Sequence, residues 1–338
     1  MGLFGKKGRG IITDKKIARN DKVISDDDIA RLQYKTNLLI RVSKYVTIAV
    51  MVAMLLYLIV WERDTLMQGN FFEQLLLVAV SVLVCGVGAN ALTYHLVAKR
   101  MEGSFWTAYR QQYLVNMVSG IKGIGRVTYK EQPGLSYEEL RGSVLVRCQY
   151  DRLCRTQDCL YGDINGDDFR ITNFKAGVPI RKANGYTGEK RIFDGLLAII
   201  SADDEDRELL RKVGFMQVFS ASYSPTVAGY TAEHEFKTGD EEFDAAFKVF
   251  AEKPNKLGTF FDDGLKAAIR AFADTVKTPA AFSFNGGSMF IAVNDYPDIF
   301  EAKLDVDVVK QKNEVMQLMN GIAAAQKIYD IALDYKNA

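Results

Sequence analysis

The chain has 338 residues, enough for two or three domains, with 48% apolar and 25% charged residues. That composition excludes disorder, a collagen repeat and a disulfide scaffold. A net charge of +1 and only two histidines argue against a nucleic-acid-binding chain and leave little imidazole for metal or triad chemistry.

Residues 1–24 are Gly- and Lys-rich without apolar periodicity and read as a basic tail. Ser25 ahead of Asp26, Asp27 and Asp28 is an N-cap with an acidic first turn, which suits the positive end of a helix. It predicts a juxtamembrane helix over 25–44. From Tyr45 to Trp61 there is no charge, and these 17 residues span about 26 Å, close to a bilayer's hydrocarbon thickness. After a short external loop, 62–74, the stretch from Leu75 to Val97 supplies 23 further residues, mostly apolar and without Asp, Glu, Lys or Arg. Two such helices in tandem, with polar flanks and aromatic ends, read as a transmembrane hairpin. A cleaved signal is not expected, because the first apolar run begins after 44 mostly polar residues. Met1-Gly2 lacks the Ser or Thr of a myristoylation site where Lys6 stands.

Residues 1–44 hold 11 Lys/Arg against 5 Asp/Glu, the 62–74 connection has Arg63 alone, and Lys99 and Arg100 follow the second span. Basic residues stay inside, so both termini are expected in the cytoplasm, where thiols remain reduced. Small residues let helix backbones approach. Ala49 and Ala53 in the first span, with Ser81, Cys85, Gly88 and Ala89 in the second, form the expected packing seam, between the two spans or between copies of the chain. His95 lacks a partner carboxylate in either span, so a proton relay is not favoured.

Beyond the spans, 98–134 reads as a juxtamembrane helix and linker and 135–338 as a cytoplasmic domain. Aromatic and apolar residues at mixed three-and-four spacing carry a helix from Met101 to Ile121. Ser136 and Glu139 form a capping box opening a short helix. Asn165-Gly166 predicts a tight hairpin between strands from Asp158 to Ile164 and from Asp167 to Phe174, because this pair tolerates the positive φ angles of a type I′ turn. Arg191 to Ser201 reads as a strand with Gly195 a bulge, and Val213 to Ser220 as another. A helix from Asp240 places Phe243 and Phe247 on one side. Another runs from Asp262 to Thr275 and buries Leu265, Ile269 and Phe272. Ala280 to Phe284 and Met289 to Val293 flank a second hairpin turn, and a long helix from Asp305 to Tyr335 closes the chain with an apolar stripe through Val315, Met319, Ile322, Tyr329 and Leu333. Strands and helices do not alternate strictly, so the fold class expected is α+β: a two-helix transmembrane hairpin, then a mixed domain with antiparallel hairpins and a long C-terminal helix.

Four segments, Tyr150–Phe174, Phe193–Ile200, Phe236–Glu252 and Ala280–Val293, occur in this order after the membrane hairpin. In that ordered set the chain resembles the bacterial two-span membrane proteins grouped as domain of unknown function number 3137. It departs from that family's pattern in Cys148, Cys154 and Cys159 and in a longer gap between Asp203 and Glu235. The resemblance implies an inner-membrane protein with a cytoplasmic α+β domain, no assigned activity or catalytic residue, and a LemA-type membrane protein as a possible partner.

Cys148, Cys154, Cys159 and His234 would complete a Cys3His zinc site only if the fold gathered them, and their spacing is not that of paired zinc ligands; reduced structural thiols are the reading preferred. Asp163, Asn165 and Asp167 match the start of a calcium loop, but Asp168 and Phe174 stand where Gly and Glu are needed, so a turn is preferred. Gly120 to Arg126 (GIKGIGR) lacks phosphate-loop spacing and reads as a helix stop, and the acidic run at Asp203 to Glu208 as a solvated loop. Residues 98–338 hold 31 Lys/Arg against 34 Asp/Glu, which opposes nucleic-acid binding. The expected partners are membrane lipid and either another copy or a membrane protein; no cofactor is expected. The leading function is non-enzymatic display of a cytoplasmic domain for protein interaction or self-assembly. A membrane-bound hydrolase or metal-dependent enzyme without a recognisable motif is the alternative, and a small subunit acting at the lipid surface a third.

Overall fold

A computed structural model describes residues 24–61, 70–181, 187–201, 207–208, 211, 214–223, 227–228, 234–252, 257 and 260–334. The basic tail to residue 23 and most of the acidic run and external loop lie outside these residues. Helix α1 (Asp26–Trp61) is continuous for 36 residues, so the juxtamembrane and apolar segments are one rod. Ser25 caps it: its Oγ accepts from the Asp28 amide at 3.2 Å. Helix α2 (Phe71–Thr93) runs on through a π-helical turn at Tyr94–Ala98 into α3 (Lys99–Ala108), a second π turn at Tyr109–Leu114, and α4 (Val115–Ser119).

Strand β1 (Thr128–Lys130) follows, so the sheet begins before residue 135. Helix α5 (Tyr137–Gly142) opens with the expected capping box of Ser136 and Glu139. Then come β2 (Cys154–Ile164), β3 (Asp167–Arg181), β4 (Thr187–Ser201), β5 (Met216–Ser220), β6 (His234–Phe236), α6 (Glu241–Ala246), β7 (Phe247–Ala251), α7 (Asp263–Val276), β8 (Ala280–Asn285), β9 (Ser288–Asn294) and α8 (Val308–Asp334). The described strands form one nine-stranded sheet in the order β1-β2-β3-β4-β9-β8-β5-β7-β6, with every neighbouring pair antiparallel. The protein is therefore mixed α+β, with a pair of long apolar helices at its N-terminal end.

Both expected hairpins form. Ile164 pairs with Asp167 across Asn165 and Gly166, whose φ values of 51° and 102° match the turn chemistry. Asn285 pairs with Ser288 across Gly286 and Gly287. Three local expectations change. Gly195 is not a bulge: it pairs with Phe174 on one side and Asn294 on the other. Its reason for being glycine is close approach, since a Cβ there would lie 2.1 Å from the Val293 carbonyl oxygen. The β3–β4 irregularity falls instead between Ala176 and Gly177, where Ile192 is the extra residue. Phe247 starts β7 rather than ending a helix, although its ring still lies 4.9 Å from that of Phe243. The last helix begins at Val308, three residues later than the apolar stripe predicts.

The main core lies between one sheet face and α7 with α8, built from Phe169, Ile171, Phe272, Ile291, Leu318 and Ile322 among others. On the other face the end of α5 at Gly142 and the strap 143–145 that follows it are pinned by side chains standing up from central strands. Ser283 donates to the Ser143 carbonyl at 2.6 Å, Gln217 to that of Val144 at 2.8 Å and Asn285 to that of Gly142 at 2.7 Å. The Tyr223 hydroxyl adds a bond to the Leu145 carbonyl at 2.9 Å. These bonds satisfy carbonyls that the strap, being neither helix nor strand, cannot satisfy itself.

Candidate functional site

The sheet keeps His234 apart from the thiols of the zinc candidates. Cys154 and Cys159 stand on β2, the second strand, and His234 on β6, the ninth. Seven strand spacings separate them, about 34 Å at ~4.8 Å each. Cys148 and Cys154 are buried neighbours, and the hydrogen bond from Cys148 to the Cys154 sulfur, with burial, raises the Cys148 thiol above its ordinary value. Burial pushes Cys159 up to about 11. All three are free thiols, and among the described residues no group of three or more His, Cys, Asp and Glu side chains is placed to hold a metal ion.

The Asp163, Asn165 and Asp167 oxygens do not converge either. The Asp163 carboxylate accepts from the Arg126 amide at 2.9 Å, while Asp167 accepts from Gln326 at 3.0 Å and from the Tyr329 hydroxyl at 3.1 Å. The glycine-rich segment after α4 ends the helix and docks on this hairpin, with the Gly125 amide donating to the Asp163 carbonyl and the Asn165 amide to that of Gly123. Of the acidic run, Glu208 is described and pairs with Arg211 at 2.5 Å.

Helices α1 and α2 pack side by side. Ser81, Cys85 and Ala89 lie half-buried on the face toward α1, but Ala49, Ala53 and Gly88 are exposed and do not belong to that seam. On α1 the facing positions are Ser43, Thr47, Val50, Met51, Met54 and Leu58, a stripe one residue round the helix from the alanines. Ser43 and Thr93 hydroxyls lie 2.9 Å apart, and Gly86 leaves room for Met51, whose Cγ would sit 2.5 Å from any Cβ there. The rest of both helices exposes large apolar side chains, Ile48, Val52, Leu56, Val60, Leu76, Leu83 and Val87 among them. Only 11% of the most apolar part of α1 and 6% of that of α2 is buried. Both are long and apolar enough to cross a membrane.

Where the rods leave this apolar stretch they enter a polar joint that no sequence motif announces. Tyr113 donates to Asp26 at 2.9 Å and Lys312 to the other oxygen at 2.7 Å, and chiefly that Lys312 bond holds Asp26 below the ordinary carboxylate value. Gln33, nearly buried, donates to the carbonyls of Lys303, Leu304 and Val306 at 3.0, 3.3 and 2.7 Å. Deeper in, the Arg110 Nε donates to the Phe300 carbonyl at 3.0 Å and its Nη1 lies 3.7 Å from Asp158. Tyr129 donates to Asp158, and Asn173 donates to Asp298. Burial, and secondarily the charge on Asp158, raises the Asp298 carboxyl above its ordinary value, although the Phe300 amide donates to it at 2.9 Å.

Two unusual backbone features meet here. The second π turn carries Tyr109 and Arg110, and a bulge in β2 sets Asp158 at φ +55° so that its carboxylate turns into the joint. Two carboxylates, a tyrosine and an arginine are also the parts of an acid–base site. The cavity beside Asp298 holds only about 70 Å3, however, far below the ~300 Å3 of a small metabolite site. The cluster therefore fastens three elements, the helical rod, β2–β3 and the 295–307 segment, rather than enclosing a substrate. Two open grooves lie elsewhere, one of about 550 Å3 lined by Arg126, Lys130, Tyr161 and Arg170, one of about 560 Å3 beside Arg141, Arg147 and Cys148. Arg170 is held by Glu139 at 2.5 Å, and Lys130 sits 4.6 Å from the centre of the Tyr161 ring.

Residues 191–331, from within β4 to within α8, match the family model described as "Protein of unknown function (DUF3137)". That match supports membership of the DUF3137 family. No curated protein and no solved structure matches it. The family match covers most of the sheet and the two helices on its core face, and it lies outside α1 and α2.

Proposed function

We propose that this DUF3137 chain is an integral protein of the bacterial cytoplasmic membrane. Helices α1 and α2 span the bilayer, both termini lie in the cytoplasm, and the sheet domain is a non-enzymatic platform for a membrane-protein partner, such as one of LemA type, or for further copies of the chain. The observation that carries this reading is the contrast in burial. Most apolar side chains of the sheet domain are packed away, whereas those in the apolar stretches of α1 and α2 stand in the open, and these stretches pack on each other along one stripe. Water penalises such a surface by roughly 25 cal/mol per Å2, and lipid removes the penalty. The excess of basic residues before the first span supports the inward orientation. The polar joint supports a platform role, because it fixes the domain to the rods at several points on each.

The test is fractionation followed by topology mapping. The chain is expected to stay with membranes through alkaline carbonate, a reporter fused after Ala338 to be active only in the cytoplasm, and mild-detergent extracts to contain a discrete homo-oligomer or a stoichiometric complex. Release into the supernatant or a periplasmic C-terminus defeats the membrane reading. A clean monomer that hydrolyses ester or phosphate substrates defeats the platform reading.

A further inference from the structure

Strands β3 and β4 run past the rest of the sheet. β2 stops pairing with β3 at Ala176, and β9 pairs with β4 only from Gly195 onward. Among the described residues, Gly177–Arg181 and Thr187–Arg191 are therefore a two-stranded ribbon with no third strand on either edge. Such a ribbon is marginal in water, and its bare edges call for a cover.

The contacts of the helical rod show where this ribbon points. The end of the rod meets the Asp163–Asn165 turn, and Arg110, nine residues before Ser119, meets Asp158. Travelling up the rod toward α2 thus runs in the same direction as travelling from Ile164 back to Cys154 on β2, or from Asp167 forward to Arg181 on β3. Asn173 and Arg110 share a level through Asp298 and Phe300. From Asn173 the strand has eight residues left, about 26 Å. From Arg110 to Ala98, where the apolar part of α2 ends, the rod rises 12 residues, about 18 Å. A ribbon inclined by up to some 45° to the rod still reaches the level at which the rods turn apolar.

The side chains at that level suit a charged lipid surface. Arg181 and Lys190 on the ribbon are exposed, and so are Arg41, Lys44, Lys99 and Arg100 where the rods change character. Arg191 is engaged by Asp194 at 2.5 Å, and Glu189 faces Arg155 at 3.8 Å. Among the basic residues stand exposed Pro179 and Ile180, the latter 38% accessible.

We infer that the β3–β4 ribbon is a third point of attachment to the membrane, its end meeting the anionic headgroups of the leaflet that α1 and α2 cross. Arg181 and Lys190 meet phosphates there, and Ile180 dips among the headgroups. This rests on the membrane reading above.

The test uses the full chain in vesicles of phosphatidylcholine alone or mixed with phosphatidylglycerol. An environment-sensitive fluorophore is attached at Ile180→Cys in a Cys85→Ala background, with parallel probes at Ala53→Cys and Val309→Cys. The Ile180 probe is expected to shift to the blue in vesicles with phosphatidylglycerol, and less in phosphatidylcholine alone. Salt at 1 M, where screening acts within about 3 Å, is expected to reverse the shift. Arg181→Glu with Lys190→Glu is expected to weaken the ribbon's partition at least tenfold with unchanged circular dichroism. An Ile180 probe that stays as aqueous as the Val309 probe, while the Ala53 probe reports lipid, overturns the ribbon contact and leaves the membrane reading standing. An aqueous Ala53 probe overturns both.

Discussion

Replacing Arg110 by methionine tests the joint most directly. The change removes a hydrogen bond to the Phe300 carbonyl and the cation nearest Asp158, whose side chain is only 10% accessible, while keeping an apolar stem beside Trp106. Breaking one half of a buried ion pair costs about 3–5 kcal/mol. Here Asp158 retains the Tyr129 hydroxyl and Arg110 is itself 21% accessible, which lowers that cost, while the orphaned carbonyl adds about 1 kcal/mol. The expected destabilisation is about 2–4 kcal/mol. Asp158→Asn is a clean partner change because asparagine tolerates φ +55°. Arg110→Met with Asp158→Asn is therefore expected to recover at least half the loss, since neither charge is then left alone. The reporter is Trp106 fluorescence during urea titration in mild detergent, with the chain's other tryptophan changed by Trp61→Phe, and free energies come from linear extrapolation. A midpoint for Arg110→Met equal to that of its parent, or a double variant that loses the full sum of its singles, would refute an interacting cluster.

The joint also predicts a pH dependence. Burial places the Asp298 carboxyl above 3.8, so the unfolded chain gives up that proton first as pH rises, and the ionised group costs native stability once pH passes its folded value. The parent is expected to gain on Asp298→Asn as pH falls from 7 toward 4, read as the difference between their urea midpoints; a gap that is constant or moves the other way sinks this assignment. In the sheet, Gly195→Ala should cost about 1–3 kcal/mol or prevent folding, because the new methyl meets the Val293 carbonyl oxygen. A thermal midpoint within a degree or two of the parent's would mean that β4 and β9 are not paired in this register.

Local chemistry made much of the architecture legible. Ser25 and Ser136 start helices because a hydroxyl is there to satisfy a free amide, and Asn165-Gly166 turns the chain because both residues accept positive φ. Each signal lies within four residues of what it controls. Where two structures compete for one residue, the local signal fell short. Gly195 fits a bulge by type, but what requires a glycine is the carbonyl of Val293, 98 positions away. Ala49 and Ala53 lie off the seam between α1 and α2 for a similar reason. Small residues permit close approach on any side of a helix, and Ser43, Met51 and Leu58 were chosen as the facing stripe by hydroxyl pairing with Thr93 and by the space at Gly86.

By itself the amino-acid order determined that two helices long and apolar enough to cross a membrane precede an α+β region, and that basic residues flank them before the first and after the second. Those properties depend on composition and short-range spacing. Only the tertiary structure decided that Asp158 and Asp298, 140 positions apart, share one joint with Arg110, and that His234 stands at the far edge of the sheet from the thiols. Strand order settles both, and it follows from how the sheet buries its two faces at once, a global balance that no single segment encodes.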